Sequence, residues 1–311
     1  MNLLQHKHWR IRPDIERALI HQHPVVALET AVVTHGLPYP ANLKLAKNVE
    51  EIIKKEHATP ATIGVVKGKM IIGLKEDELE TLADPNTKTK KISPRDMGIA
   101  LAAGLNGGTT VGATMVAASK AGIRVFSTGG IGGVHREPAF DVSADLMALH
   151  SIPMIVVCSG AKSILNLPAT LEMLESYGVP VIGYQTDQFP AFYAADSGLE
   201  VTMQADSVKM VCKIAREHWL TGMRSAILVV QPPPAYAAMP AKEIESSIQQ
   251  AVQEASQASI HGYALTPYLL NRINELSQGR SMKANLALLE NNARLAAEIA
   301  NAYYKNVNKT I

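Results

Sequence analysis

Residues 154–174 read MIVVCSGAKSILNLPATLEML. The apolar run Met154–Val157, rich in β-branched residues, has the composition of a strand buried on both faces. It ends in four small residues, Cys158 to Ala161, and then a lysine, Lys162. The mostly apolar stretch Ser163–Leu174 follows and reads as a helix. A strand passing through a short loop into a helix is the building unit of a layered α/β domain. The lysine has a bland reading, a loop residue whose head reaches water along its own stem. It also has two chemical ones. A pocket of small residues with apolar walls leaves part of an amine neutral, able to attack a carbonyl and form an imine, and a lysine also serves as a phosphate partner.

The unit recurs along the chain. Runs of strand character lie at Val25–Leu28, Thr62–Val66, Met70–Ile72, Ile123–Phe126, Val181–Tyr184 and Ala226–Val230. Helical spacing fills Asn42–Lys55, Ser207–His218, Ala241–Ala258 and Asn285–Tyr304. The expected fold is therefore α/β, with helices around a mixed, largely parallel sheet. Ile63–Val66 and Met70–Ile72, split only by Lys67-Gly68-Lys69, predict an antiparallel hairpin attached to that sheet. No linker or internal repeat is evident, and the Pro-rich QPPPAY (Gln231–Tyr236) directly follows a strand, so residues 1–311 read as one domain.

Composition narrows the function. The 311 residues are 47% apolar, 19% charged and 5% aromatic, and the net charge is +2, so no basic stripe argues for nucleic acid or a membrane surface. The KTKK run at Lys88–Lys91 is short and reads as solvated surface. Cys158 and Cys212 form no CxxC pair, which disfavours a disulfide framework or a thiolate zinc site. No signal-like, spanning or peroxisomal segment is legible, and a cytoplasmic location is the expectation.

Ligands of α/β sheets collect at strand carboxyl ends. Here those ends carry Glu29-Thr30, a glycine-rich loop STGGIGGVHREPAFDVSAD, and CSGAK. The segment Gly107-Gly108-Thr109-Thr110-Val111-Gly112 precedes a helical pattern and reads equally as an anion seat or as a tight turn. It is not a Walker motif, and GGIGGVHR fails the dinucleotide spacing. The loop instead reads as a flexible carrier of His135, Asp141 and Asp145. Asp141 and Asp145, four apart, would share a face at a helix start and suit Mg²⁺ or Mn²⁺ with several waters retained. Taken alone, Asp141 reads more readily as the helix N-cap of VSADLMAL. Glu29 is a paired carboxylate or a proton donor whose pKa burial raises. His35 and His150 read as filler, since no metal spacing links them.

Several runs together resemble one family, the pseudouridine-5′-phosphate glycosidases and their indigoidine-cluster relatives. They are ALETAVVTHGLPYPANL, KISPRDMGIALAAGLNGGTTVGATM, FSTGGIGGVHR, FDVSADL, CSGAKSILNLPATLEMLES and ANLALLENNARLAAEIA, and they extend over nearly the whole chain. The resemblance implies a three-layer α/β/α homotrimer that uses Mn²⁺ or a similar divalent cation, with no organic cofactor. It implies reversible cleavage of pseudouridine 5′-phosphate to uracil and ribose 5-phosphate. By motif, Lys162 would be the nucleophile and Glu29 the proton donor. Lys91 and Val111 would contact substrate, Asp141 would hold the metal, and Ser143, Ala144 and Asp145 would line the substrate site. His135 and Asn285 would complete it. Two other readings are the same chemistry on another C-nucleoside or sugar phosphate, and a ribose-phosphate-binding protein without catalysis.

Overall fold

The computed structural model describes residues 7–136, 141–258, 260 and 265–307. The first six residues, Phe140 of FDVSADL and the terminal NKTI lie outside them. In chain order the elements are β1 (Trp9–Ile11), α1 (Pro13–Ile20), β2 (Val25–Leu28), α2 (Ala41–Lys55), β3 (Thr59–Val66), β4 (Lys69–Ile72), α3 (Glu76–Ala83) and β5 (Thr89–Ile92). Next come α4 (Met97–Ala102), β6 (Asn106–Thr109), α5 (Val111–Ala121), β7 (Val125–Ser127), α6 (Ala144–Ser151), β8 (Ile155–Cys158) and α7 (Leu167–Ser176). Then follow β9 (Val181–Tyr184), β10 (Met203–Ala205), α8 (Val208–Leu220), β11 (Ile227–Val230), α9 (Ala241–Gln257), α10 (Leu265–Leu276) and α11 (Arg280–Val307).

The strands form a sheet in the order β1-β4-β3-β2-β7-β8-β11-β9-β10, with β6 branching from β3 and pairing β5. From β3 through β2, β7, β8, β11 and β9 to β10 every pairing is parallel. The expected mixed, largely parallel sheet is what the chain forms. The central strands β2, β7 and β8 are buried at every position, as strands covered on both faces must be.

Helices supply the cover. Leu45, Ala46, Val49 and Ile53 of α2, and Ile244, Ile248, Ala251 and Ala255 of α9, recur at helical spacing and are buried. Helix α5, with Val111, Ala113, Met115, Ala117 and Ala118 all buried, is apolar around most of its circumference and packs against β2, β3, β4 and α6. Helix α11 lies on β2, β7 and β8 and packs against α2 and α8. Its alanines 284, 293, 296, 297 and 300 are fully buried, so its backbone approaches its neighbours closely. Among the described residues, no helix is long and apolar enough to cross a membrane.

The hairpin is less peripheral than the sequence suggests. Strand β3 is one continuous strand: Thr59–Thr62 pairs β2 in parallel, and Ile63–Val66 pairs β4 antiparallel. Lys67 and Gly68, at φ 48° and 68°, form the two-residue turn. The KTKK run is not merely solvated surface either, since Thr89–Ile92 pairs β6 in register from Thr89↔Asn106 to Ile92↔Thr109.

Candidate active site

Because β2, β7 and β8 are parallel neighbours, their carboxyl ends open on one edge and bring three sequence-distant loops together. Glu29 follows β2 and is 8% exposed. The Thr128 hydroxyl, at the end of β7, donates to its Oε1 in a short hydrogen bond. Burial pushes the Glu29 carboxyl above its ordinary value, and the Lys162 ammonium is the largest influence opposing that rise.

Lys162 is half-buried and fixed by its backbone. Beyond the strands the loops after β7 and β8 stay paired. Ser159 N–H donates to the Gly129 carbonyl (2.9 Å), Ile131 N–H to Gly160 (3.1 Å) and Lys162 N–H to Ile131 (3.1 Å). Gly160 makes the turn at φ 82°, where a Cβ would lie 2.3 Å from the Pro190 carbonyl oxygen. The loop Thr128–Gly133 is buried and hydrogen-bonded, not the flexible carrier expected from its glycines. Cys158, the neighbouring sulfur, is no rival nucleophile, because burial pushes its thiol up to about 12.

A cleft lies over these groups. Glu29, Lys91, Lys162 and Asn285 line it, together with His35, Gly129, Gly130, Phe192, Leu270 and Leu289. Lys91 belongs to an exposed stretch of β5, yet its side chain reaches the cleft. There desolvation, and then the Lys162 cation, hold its pKa below the ordinary lysine value, while Asp145 and Glu29 pull it back up. Two ammonium groups facing one cleft suit an anionic ligand such as a phosphate ester.

The remaining expected site residues sit around the cleft and not in its lining. Asp145 is 5% exposed, and its two oxygens accept from Gly112 N–H (2.8 Å) and Gly132 N–H (2.9 Å), tying the start of α5 to the β7 loop. A Cβ on Gly132 would come within 2.7 Å of the same carboxylate. Ser143 is the N-cap of α6, its Oγ accepting from Asp145 N–H (3.2 Å), and Ala144 is the first residue of that helix. So Asp141 is neither the helix cap nor on a helical face with Asp145. It lies in an extended segment where Val142 bridges Val134 and the Asp141 carbonyl accepts from His135 N–H (2.9 Å). Burial holds the His135 imidazole below the ordinary histidine value; Asp141 opposes this, and Lys91 and Lys162 reinforce it.

The anion seat at α5 is largely occupied by the protein itself. Thr109 N–H donates to Thr30 Oγ1 (3.0 Å), Thr110 N–H to the Ile92 carbonyl (2.9 Å) and Gly112 N–H to Asp145. Among the described residues this leaves the Val111 N–H as the amide in that run without an acceptor.

The donor set limits the kind of metal. Among the described residues no group of three or more His, Cys, Asp or Glu side chains is placed to hold an ion. Of the two aspartates expected at the site, Asp145 is committed to two amides, and half-buried Asp141 is left. That fits a hard cation such as Mg²⁺ or Mn²⁺ held by one carboxylate with water in its other positions, and not a closed zinc-type site.

Sequence reasoning missed Thr128, Phe192 and Asn292, and set His35 aside. His35 lines the cleft from a π-helical turn, Val32–Gly36, a rare local structure that recurs at functional sites. The one available signal for Asn292 was a pair of asparagines inside an Ala- and Leu-rich helix, where asparagine is a poor helix former.

The family model for indigoidine synthase A like protein matches residues 14–302. A pseudouridine-5′-phosphate glycosidase of Caldanaerobacter subterraneus subsp. tengcongensis is 48% identical over 297 residues, covering 94% of this chain and 96% of that one. The enzyme of the same name from Escherichia coli K12 is 46% identical, covering 95% and 96%. The crystal structure of the prealnumycin C-glycosynthase AlnA in complex with ribulose 5-phosphate superposes with a TM-score of 0.89 at 36% identity, covering 98% and 99%. On both sequence and fold, the chain belongs to the indigoidine synthase A-like family.

Proposed function

We propose that this enzyme reversibly cleaves the C–C glycosidic bond of pseudouridine 5′-phosphate, giving uracil and ribose 5-phosphate. Relatives of that name at 48% and 46% identity over nearly the whole chain support the activity. One observation supports the mechanism: Glu29, its carboxyl pushed above the ordinary value by burial, and the Lys162 amine line the same cleft, beside a second cation, Lys91.

A C-glycosidic bond has no leaving oxygen to protonate, so a pair of carboxylates does not suffice. Glu29 gives its proton to the ribose ring oxygen as the C1–O bond breaks, and the Lys162 nitrogen bonds C1. The bonded nitrogen gives one of its protons to the Glu29 carboxylate. Its freed lone pair forms a C=N bond while the electrons of the C–C bond pass into the pyrimidine, and Glu29 passes that proton to C5. Water hydrolyses the imine, freeing ribose 5-phosphate and the lysine. Lys91 and the Val111 N–H hold the phosphate, Asn285 faces the base, and Ser143 to Asp145 keep the loops in place. Asp141, beside His135, would hold Mn²⁺ or Mg²⁺ together with water. When bound, the ion would supply charge that polarises the substrate's oxygens. A cytoplasmic homotrimer is the setting this reading expects.

The AlnA complex favours a second reading, the same chemistry with a different aglycone. Supplying purified protein with Mn²⁺ and pseudouridine 5′-phosphate separates the two. Uracil release supports the first reading. Release from another C-nucleoside phosphate, with none from pseudouridine 5′-phosphate, supports the second.

A further inference from the structure

Asn292 of α11 is fully buried and sits where three strand ends meet. Its Nδ2 donates to the Thr128 carbonyl (2.9 Å) after β7 and lies 3.2 Å from Ser159 Oγ after β8. Its Oδ1 accepts from Gln231 Nε2 (3.0 Å) after β11, and Gln231 is itself 7% exposed. Gln231 opens the QPPPAY loop, which the proposed chemistry leaves without a role. Its backbone N–H donates to the Cys158 carbonyl (3.1 Å), which closes the connection between β8 and β11.

Thr128 donates its hydroxyl to Glu29, and Ser159 begins the turn that delivers Lys162. One amide therefore holds the backbone of the residue that orients the acid, and the side chain at the root of the residue that carries the nucleophile. Hydrogen bonds to an amide in a dry site are directional and costly to leave unmade, so this contact fixes separation as well as stability. A hydrophobic residue would fill the same space without setting that separation.

Resting on the reading above, we propose that Asn292, with Gln231 as its brace, is a positioning residue that sets the geometry between Glu29 and Lys162. Misplacement of about 1 Å costs a reaction on the order of 100-fold. Asn292→Ala is accordingly expected to lower kcat at least tenfold while KM for pseudouridine 5′-phosphate moves less than about threefold. Gln231→Leu, which keeps the Thr128 contact, is expected to fall between Asn292→Ala and wild type.

The test pairs kinetics with a double-mutant cycle. Thr128→Val, Asn292→Ala and the double variant are compared in kcat, in the alkaline limb of the pH profile, and in thermal midpoint. If Asn292 acts through Thr128, the two losses in kcat are strongly non-additive, and Asn292→Ala moves the alkaline limb in the same direction as Thr128→Val. Folded Asn292→Ala with wild-type kcat and pH profile, or fully additive losses, would overturn the proposal. If Asn292→Ala does not fold, Gln231→Leu decides the matter on the same kcat and pH readouts. Wild-type protein inactive on pseudouridine 5′-phosphate would count against the function alone. The positioning role is then read from the rate at which borohydride traps Lys162 with ribose 5-phosphate, and an unchanged rate in Asn292→Ala would sink it.

Discussion

The Thr128 hydroxyl donates to the Glu29 carboxyl from the end of the neighbouring strand, inside a cleft that Lys162 also lines. Glu29 is thus a buried acid with one neutral partner and two cations in electrostatic range, Lys162 and Lys91. Desolvation outweighs both, so the Glu29 carboxyl is held above the ordinary glutamate value.

That shift has a defined sign for activity and stability. As the proposed proton donor, Glu29 works while it holds its proton, so turnover is expected to fall as pH rises through its raised pKa. Stability runs the same way. The folded state binds the proton more tightly than the unfolded chain, so stability declines from the ordinary glutamate range up through the raised value. Glu29→Gln is expected to lower kcat about 100-fold or more and to remove that decline. The pH profile of kcat and thermal melts across the same range check both.

Asp145 predicts a structural penalty. Its carboxylate accepts from two buried backbone amides, and hydrogen bonds to charged acceptors contribute about 1.5–3 kcal/mol each. Asp145→Ala is expected to lose roughly 3 kcal/mol or more in denaturant unfolding, with the slope unchanged.

Gly160 separates placement from chemistry. At φ 82° with the Pro190 carbonyl in the path of any Cβ, Gly160→Ala strains the turn that delivers Lys162. The expected cost is about 2 kcal/mol in stability, and kcat falls although no reacting group is removed. Urea unfolding and steady-state kinetics on one preparation measure both.

Asp141 is half-buried and its hydrogen bond to His135 runs through its backbone carbonyl, so Asp141→Ala is expected to fold normally. It should weaken Mn²⁺ binding, read by the electron paramagnetic resonance of free Mn²⁺, and abolish metal-dependent turnover. Unchanged Mn²⁺ affinity in this variant would remove Asp141 as the ligand.

How much of this the sequence disclosed follows from where each signal resides. Buried strands such as Val25–Leu28 and Val181–Tyr184 announce themselves as apolar runs, and their observed bounds match the reading. Strands β5 (TKKI) and β6 (NGGT) do not, because lysine and glycine carry no strand signal, and pairing of β6 with β3 and of β5 with β6 makes them strands. Residues at strand ends, Glu29 and Lys162, were legible because a charged group directly after an apolar run is conspicuous. Thr128 and Asn292 were not. A threonine and an asparagine acquire their meaning from partners more than 90 residues away, which only the folded chain brings near. Asp141 and Asp145 were read as a helical pair from spacing alone, but α6 starts at Ala144, after both the Val142 bridge and the Ser143 cap.

The most direct test of the account is the covalent state of Lys162. The protein is mixed with ribose 5-phosphate, reduced with borohydride, digested and mapped by mass spectrometry. The account expects one reduced sugar-phosphate adduct, on the peptide carrying CSGAK and at Lys162, absent from Lys162→Ala, a variant that folds normally and releases no uracil. An adduct at another lysine, or a Lys162→Ala protein that still turns over at the wild-type rate, would contradict it.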